Sequence, residues 1–326
     1  MLRSAVACTT LLVLTSLAGA AESGLAAYTN PQDAGPDFQT QGEYRGEIES
    51  DGQRKKIGVH VIALGEGKFR AVVYQGGLPG DGWNKGDRRD SFNGKTEDGV
   101  TTFKGKERQG KIKDGQLVVS DASEKMLGTL QKVERKSPTL AARPPEGAVV
   151  LFDGTSADNF IGGTMTPEGW LEVGTKSKRE FGSCQLHVEF RTPFMPAAQG
   201  QARGNSGVYV EDCYEFQVLD SFGLEGKNNE CGGLYSMEEP KVNMCFPPLS
   251  WQTYDFDFTA PKFDADGKKT ANARVTLRHN GVVIYDDLEI TRLTPGGRSQ
   301  EGPTGALMLQ NHGNPVVFRN IWVLEK

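Results

Sequence analysis

Apolar and polar residues alternate in short runs along most of the chain, and this pattern constrains the fold more than any other feature. Alternation with a period of two is typical of strands that bury one face. Turn residues separate the runs, and the 326-residue chain contains 41 glycines and 16 prolines. Helical periodicity is nearly absent. A chain of this length has room for two domains, and the pattern predicts an all-β fold.

Two β-rich regions lie on either side of a proline-rich segment. Residues 42–135 contain several strand-like runs between Gly and Asp turns, which predict a small β domain. Residues 136–146 lack periodicity, and we interpret them as a linker. Residues 147–326 again alternate, and Asn280-Gly281 between two apolar runs is a strong hairpin signal. This region predicts a two-sheet jelly-roll sandwich whose first and last strands lie close together.

The first twenty residues have the pattern of a secretory signal peptide. Arg3 precedes an apolar run, and Ala18-Gly19-Ala20 provides a small-residue cleavage site. The run is too short for a membrane anchor, and no later segment approaches the ~20 apolar residues of a membrane-spanning helix. Residues 21–41 are polar and predict a flexible leader. We therefore expect a secreted or periplasmic protein, cleaved near Ala20, without a membrane span.

The charge distribution bears on nucleic-acid binding, and the cysteine spacing bears on zinc binding and disulfides. The net charge is −5 with dispersed Lys and Arg, which does not support nucleic-acid binding. The sequence does not specify an oligomeric state. No Cys-x-x-Cys pair suggests zinc. In an oxidising compartment we expect a Cys213–Cys231 or a Cys231–Cys245 disulfide, with free buried thiols as the alternative. The candidate cysteines are Cys184, Cys213, Cys231 and Cys245.

The segment from Gly204 to Ser221 is the most informative about function. It predicts two short strands joined by a turn at Glu211-Asp212. On the second strand, Glu215 and Gln217 share one face, while the opposite face is apolar: Tyr214, Phe216 and Val218. A β-bulge would bring Asp220 onto the polar face as well. A row of acid and amide side chains on a sheet surface is typical of a saccharide site.

Other side chains are candidates for substrate binding. Asn205 and Ser206 could donate to sugar oxygens, and Tyr235 could lie near the row. Trp251 could stack on a pyranose ring, and Arg319 could reach the site or form a buried ion pair. Tight turns and core packing are the alternative roles of these residues.

His312 and Glu230 are candidates for catalysis beside Glu215. His312 lies in a turn between two apolar strands, where it could act as an acid or a base. Glu230 lies in an Asn-Asn-Glu-Cys loop and could add a carboxylate above the row. These three residues could also form a divalent metal site, although no contiguous ligand motif supports one. The alternatives are a turn histidine that binds backbone and an exposed loop acid.

Residues 147–326 resemble the bacterial 3-keto-disaccharide hydrolase family. The resemblance is carried by a series of motifs in order: Leu151-Phe-Asp-Gly-Thr, Gly204-Asn-Ser-Gly-Val-Tyr, Tyr214-Glu-Phe-Gln-Val-Leu-Asp-Ser, Trp251-Gln-Thr-Tyr-Asp, Ala260-Pro-Lys-Phe, His279-Asn-Gly-Val and Leu309-Gln-Asn-His-Gly-Asn-Pro. It implies a concanavalin A-like sandwich that acts on oxidised sugars. Asn311 departs from the family pattern, in which Asp often precedes the His-Gly-Asn-Pro run.

The resemblance also implies a chemistry for the row. A 3-keto group acidifies the hydrogen on C2, so a base such as Glu215 could remove it while the C1 substituent leaves, with His312 assisting. This elimination followed by hydration is the expected reaction. A retaining glycosidase is less compatible, because Gln217 cannot ionise and Asp220 is short. A non-catalytic carbohydrate-binding sandwich is the remaining alternative.

Overall fold

The computed structural model describes residues 25–326, so the expected signal peptide lies outside the described residues. The structure is almost entirely β, as predicted, and comprises a small closed barrel followed by a jelly-roll sandwich. No helix within residues 25–326 has the length and apolar character needed to cross a membrane.

The first unit is an eight-stranded antiparallel barrel. Its strands follow one another around the barrel, and the first strand closes it by pairing with the last. Two short strands, β4 and β5, form a separate pair beside it. The strands are β1 (Gly42–Ser50), β2 (Gln53–Gly65), β3 (Lys68–Gln75), β4 (Leu78–Pro79), β5 (Gly82–Trp83), β6 (Arg89–Glu97), β7 (Val100–Lys104), β8 (Arg108–Lys113), β9 (Gln116–Asp121) and β10 (Met126–Val133).

Two barrel strands, β6 and β8, are not predicted by the sequence pattern. Each carries a single large apolar side chain, Phe92 in β6 and Ile112 in β8, so the alternation is too weak to recognise. Closure of the barrel explains how such polar strands are stabilised, since both edges of each strand are paired.

The segment before the barrel is structured, in contrast to the predicted flexible leader. Tyr28 forms a β-bridge with Phe194 of the sandwich, and Gly35–Thr40 forms a short helix, α1. The ring of Phe38 packs edge-on against Phe194, with 5.4 Å between centroids. These apolar contacts cover one end of the barrel and fix the backbone of residues 25–41.

The second unit contains two packed antiparallel sheets. A seven-stranded sheet has the order β11-β24-β15-β18-β21-β22, with β13 also paired to β24, and a five-stranded sheet has the order β12-β14-β23-β16-β17. The first and last strands pair, as the sequence predicts. The strands are β11 (Val149–Phe152), β12 (Phe160–Ile161), β13 (Leu171–Glu172), β14 (Thr175–Phe181), β15 (Cys184–Arg191), β16 (Ser206–Val210), β17 (Tyr214–Val218), β18 (Gln252–Thr259), β19 (Lys262–Phe263), β20 (Lys269–Ala271), β21 (Ala273–His279), β22 (Val282–Ile290), β23 (Gly305–Leu309) and β24 (Val317–Glu325).

Aromatic side chains from both sheets fill the sandwich core. Phe216 on β17 packs edge-on against Phe256 on β18 at 5.0 Å, and Tyr214 packs against Phe258 at 5.9 Å. The predicted turn between β16 and β17 is present, with positive φ at both Glu211 and Asp212. Two such residues match the right-handed twist of the flanking strands.

The predicted linker packs against the outer face of the seven-stranded sheet. The backbone N–H of Ala141 donates to Glu189 Oε1 at 2.5 Å, and the Thr139 hydroxyl donates to Asp255 at 2.6 Å. The Asn320 amide donates to the carbonyl of Ala142 at 3.0 Å. The linker therefore has fixed contacts with the sandwich.

Buried charges join the barrel to the residues that follow it. Arg135 donates to both oxygens of Glu43, at 2.6 and 2.8 Å, and His60 lies 3.1 Å from the same carboxylate. The His60 ring stacks on Phe222 of the sandwich with 4.2 Å between centroids. Trp83 packs in the same apolar cluster, so the loop around it is a contact surface between the two units.

The four described cysteines are free and buried, so neither expected disulfide is formed in this structure. Cys213 accepts a hydrogen bond from Arg298 at 2.9 Å. Cys231 lies 3.3 Å from the Tyr254 hydroxyl, and the Cys245 thiol donates to the carbonyls of Leu219 at 3.5 Å and of Phe246 at 3.4 Å. Hydrogen bonding therefore satisfies these sulfur atoms without a covalent bond.

Glu43→Gln should lower the free energy of unfolding at pH 7 by about 3 kcal/mol, because Arg135 loses its buried counter-charge. Burial would raise the pKa of Glu43, but hydrogen bonds from Arg135 and His60 lower it from 4.5 to about 2. The ionised carboxylate therefore contributes stability above pH 4.5 that is lost as the pH falls toward 2.

Chemical denaturation at several pH values checks this prediction. The stability difference between wild type and Glu43→Gln should narrow below pH 4.5. Glu47→Gln, on the exposed face of the same strand, is the matched control and should change stability little. Equal stability of Glu43→Gln and wild type at pH 7 would contradict the role of the ion pair.

Candidate functional site

The predicted row lies on the outer face of the five-stranded sheet. Tyr214 and Phe216 point into the core. Glu215 and Gln217 alternate with them along β17 and therefore point away from the core. Both side chains are nevertheless almost fully buried, at 3% and 1% exposure, because loops cover this face. The row is therefore the floor of a covered polar site, as the sequence pattern suggests.

Tyr209 is the direct partner of Glu215. It stands opposite Glu215 in the register of β16 and β17, and its hydroxyl lies 2.7 Å from Glu215 Oε2. The same hydroxyl lies 2.8 Å from the carbonyl of Pro295, and the amide of Gln310 donates to it at 3.1 Å. The Tyr209 hydroxyl has one proton, which it can donate to the ionised Glu215 carboxylate or to the Pro295 carbonyl. It can therefore keep a hydrogen-bond partner whether Glu215 is ionised or protonated.

Burial raises the pKa of Glu215 to about 7, although the Tyr209 hydrogen bond lowers it. The dominant cause is desolvation, which disfavours the charged carboxylate. A carboxyl group with a pKa near neutrality can take up and release a proton under physiological conditions, which is the property required of a general base.

Gly207 provides the space for the carboxylate. A Cβ atom at this position would lie 2.6 Å from Glu215 Oε1 and 3.0 Å from its Cγ. Any other residue would therefore displace the Glu215 side chain. This close approach gives a physical reason for the second glycine of the Gly204-Asn-Ser-Gly motif.

Amide side chains continue the row beyond Glu215. The amide of Gln217 can donate to Glu215 Oε1 at 3.0 Å and to the Ser206 carbonyl at 2.9 Å in one orientation. In the other, it donates to Gln201 Oε1 at 3.0 Å and to Asn205 Oδ1 at 3.3 Å. Asn205 in turn donates to the Gln201 carbonyl at 2.7 Å. Three amides thus form a network next to the carboxylate.

A loop pairs with the outer edge of β17. The Tyr235 N–H donates to the Glu215 carbonyl, and the Gln217 N–H donates to the Gly233 carbonyl. The Gln217 carbonyl accepts from the Gly232 N–H. The backbone of Tyr235 is therefore close to the row.

The turn that carries His312 borders the row. Asn314 Oδ1 accepts from the Asn205 N–H at 2.7 Å, and the Gln310 N–H donates to the Gly207 carbonyl. His312 is exposed at the tip of this turn. Ser206 also lies here, but its hydroxyl donates to the Gln310 carbonyl at 2.7 Å and so holds the strands together.

Asp220 does not join the row. Strand β17 ends at Val218, and no bulge occurs in its pairing with β16. The Asp220 carboxylate instead accepts from Arg203 Nε at 2.6 Å, and both side chains are buried. The predicted contribution of Asp220 to the polar face is therefore wrong, because a buried ion pair occupies it.

The Glu230 side chain accepts hydrogen bonds from the backbone of its own loop. Its Oε2 accepts from the N–H groups of Gly226 at 2.6 Å and of Lys227 at 3.1 Å. Among residues 25–326, no three His, Cys, Asp or Glu side chains form an arrangement suited to a metal ion. Glu215, Glu230 and His312 therefore do not form the metal site that the sequence left open.

Trp251 and Arg319 lie on the opposite side of the sandwich. Arg319 pairs with Glu189 at 2.7 Å on the outer face of the seven-stranded sheet. Its guanidinium carbon lies 4.1 Å from the Trp251 ring centroid, and that of Arg191 lies 5.3 Å from the Trp251 centroid and 4.0 Å from the Trp170 centroid. Trp251 and Arg319 therefore do not contact the row, and Arg319 forms the ion pair with a buried acid that the sequence left open as its alternative. Alternation shows that Arg319 faces outward but does not identify the sheet from which it does so.

Gln201, Tyr209 and Gln310 are members of the site that sequence reasoning missed. Tyr209 could have been found, since alternation places it opposite Glu215 once the Glu211-Asp212 turn fixes the register. Gln201 lies outside the strands and Gln310 directly follows β23, so their proximity to the row depends on the tertiary fold.

The sandwich is similar to known proteins in sequence and structure. A profile of the family described as the 3-keto-alpha-glucoside-1,2-lyase-like domain matches residues 147–324. No curated protein matches the chain. A "putative glycosyl hydrolase" of Parabacteroides distasonis ATCC 8503, solved at 2.13 Å, is 31% identical with a TM-score of 0.52, covering 56% of this chain and 85% of that chain.

A second protein of that organism, described in the same words and solved at 1.70 Å, is 18% identical with a TM-score of 0.41. The match covers 56% of this chain and 94% of that chain. The family profile and the first structure confirm the predicted resemblance and support a carbohydrate-active function: the chain belongs to the family of 3-keto-alpha-glucoside-1,2-lyase-like domains.

Proposed function

We propose that the sandwich cleaves 3-keto-glycosides by elimination followed by hydration, with Glu215 as the general base. The observation that carries this proposal is a buried carboxyl group with a pKa of about 7 and a phenol at 2.7 Å. A 3-keto group makes the C2 hydrogen acidic enough for such a base. The description of the matching family, a 1,2-lyase-like domain, supports the same reaction.

Glu215 and His312 act as the base and the acid of this reaction. Glu215 takes the proton from C2, and the electron pair of that C–H bond forms a C1=C2 double bond. The C1–O bond breaks, and its electron pair leaves on the glycosidic oxygen, which His312 protonates. Water then adds across the double bond to give the free 3-keto sugar. The amides of Gln201, Asn205 and Gln217 supply donors for substrate oxygens, and Tyr209 holds Glu215 in place.

A retaining glycosidase is the weaker alternative. That mechanism uses two carboxyl groups about 5–5.5 Å apart across the scissile bond. Glu215 is the only carboxylate of the row within the described residues, since Asp220 is paired with Arg203. A carbohydrate-binding role without catalysis would need the amides of the row but not a buried carboxyl group with a phenol at 2.7 Å.

Glu215→Gln should lower kcat for 3-keto-trehalose or 3-keto-lactose at least about 100-fold, because the base is lost. Mass-spectrometric product analysis checks this, with the unoxidised sugars beside the oxidised ones. Glu289→Gln, an exposed acid on β22, is the matched control and should cleave like wild type.

Other outcomes of the product analysis would favour the alternative functions or contradict the assigned base. Cleavage of the unoxidised sugars would favour the glycosidase. Glycan binding without any cleavage would favour the binding module. Undiminished cleavage by Glu215→Gln would contradict the assignment of the base.

The pH dependence of kcat/KM should reflect the titration of Glu215. Because the base must be ionised, kcat/KM should rise with pH and reach a plateau above the pKa of about 7. Tyr209→Phe removes a hydrogen bond to the ionised form, so it should move the midpoint upward by about one pH unit. A midpoint that stays in place in Tyr209→Phe would show that another group controls the profile.

We further propose that the protein acts outside the cytoplasm, as a secreted or periplasmic enzyme. The charged, apolar and small-residue pattern of residues 1–20 supports this. N-terminal sequencing of the native protein should find a mature chain that begins near Ala21. Retention of residues 1–20 in a cytoplasmic fraction would contradict export.

A further inference from the structure

The barrel is filled at one end and hollow at the other. Under helix α1, the interior is packed by fully buried side chains such as Tyr44, Val61 and Ala63, and Phe194 of the sandwich completes this end. Toward the opposite end, the strands enclose an open cavity of about 680 Å³. Sites for small molecules commonly have volumes of about 300–1,000 Å³, and an eight-stranded barrel is wide enough for one small ligand.

The inner wall of this cavity carries apolar side chains, whereas polar and charged side chains line its mouth. The inner wall includes the side chains of Ile57, Val59, Val73, Phe92, Phe103 and Val119. Val73, Phe92 and Val119 point inward yet remain half-buried, since they border the cavity and have no protein atoms to contact on that side. An apolar wall favours a hydrocarbon over a glycan, whose hydroxyl groups would lose their hydrogen bonds there.

Of the four cations at the mouth of the cavity, two are paired with carboxylates. Lys55 pairs with Asp51 at 2.8 Å, and Arg88 pairs with Asp90 at 3.1 Å. The guanidinium of Arg108 donates only to the Ser50 hydroxyl, at 2.8 Å, within the part of the chain that the structure describes.

Lys106 is exposed beside Arg108 and likewise has no ion pair with a described residue, whereas Glu107 is the remaining acid at this rim. The lining charges are four basic and three acidic, which leaves a net charge of +1. The free hydrogen-bonding capacity of Arg108 makes it the site at the mouth for a carboxylate, which a guanidinium binds in a bidentate manner.

We propose that the barrel binds an amphipathic monocarboxylate of the fatty-acid class, with its hydrocarbon chain in the cavity and its carboxylate on Arg108. Each methylene group that enters the cavity leaves water, which drives binding. The ion pair at the rim fixes the orientation of the ligand. This site is separate from the row around Glu215 and does not depend on the proposed reaction.

Isothermal titration of the full chain with dodecanoate tests the proposal. Wild type should bind one dodecanoate per chain with a Kd in the micromolar range. Arg108→Ala should weaken binding about tenfold, because a charge-assisted hydrogen bond is lost. Lys104→Ala, at an exposed position outside the cavity lining, is the matched control and should bind like wild type.

Two further measurements separate the two parts of the site. Val119→Phe fills part of the cavity and should weaken dodecanoate and dodecanol alike, whereas Arg108→Ala should weaken dodecanoate alone. Circular dichroism establishes that each variant is folded.

Three results would overturn the proposal. The first is the absence of dodecanoate binding to folded wild type. The second is equal affinity of wild type, Arg108→Ala and Val119→Phe for dodecanoate. The third is binding to phosphatidylglycerol vesicles without binding to free dodecanoate. The third result would indicate a membrane lipid as the anionic partner.

Discussion

The guanidinium of Arg203 joins three parts of the protein that the chain itself keeps far apart. It pairs with Asp220 just after the site strand, and it donates to the carbonyls of Pro196 and Ala63. Ala63 belongs to the barrel, so a single buried cation contacts both units and the end of β17. A buried charge of this kind is tolerated only when its partners are fixed. The position of the row therefore depends on the packing of barrel against sandwich.

The site itself depends on a balance between burial and hydrogen bonding at Glu215. Loops remove the carboxyl group from water, which disfavours its charge, while Tyr209 stabilises the ionised form. Without burial the group would be an ordinary surface acid, and without Tyr209 its pKa would be higher still. Gly207 is part of this balance because it leaves room for the carboxylate to approach the neighbouring strand.

Local alternation was sufficient to predict the strands that carry the row, because Glu215 and Gln217 interrupt an apolar pattern at the period of a strand. It could not predict the fate of Asp220, whose partner Arg203 lies 17 positions earlier. It could not decide between the two roles open to Arg319 for a related reason, since a strand's pattern does not say which sheet the strand joins. Strands β6 and β8 escaped recognition because barrel closure, and not a hydrophobic face, holds them.

The loop that pairs with β17 has a consequence for the behaviour of the protein in concentrated solution. Strand β17 is the border of its sheet, and an open border offers N–H and C=O groups to any extended chain that meets it. Gly232, Gly233 and Tyr235 occupy those groups at Glu215 and Gln217. Strand addition from a second molecule, a common first step toward fibrils, is therefore blocked at the functional strand.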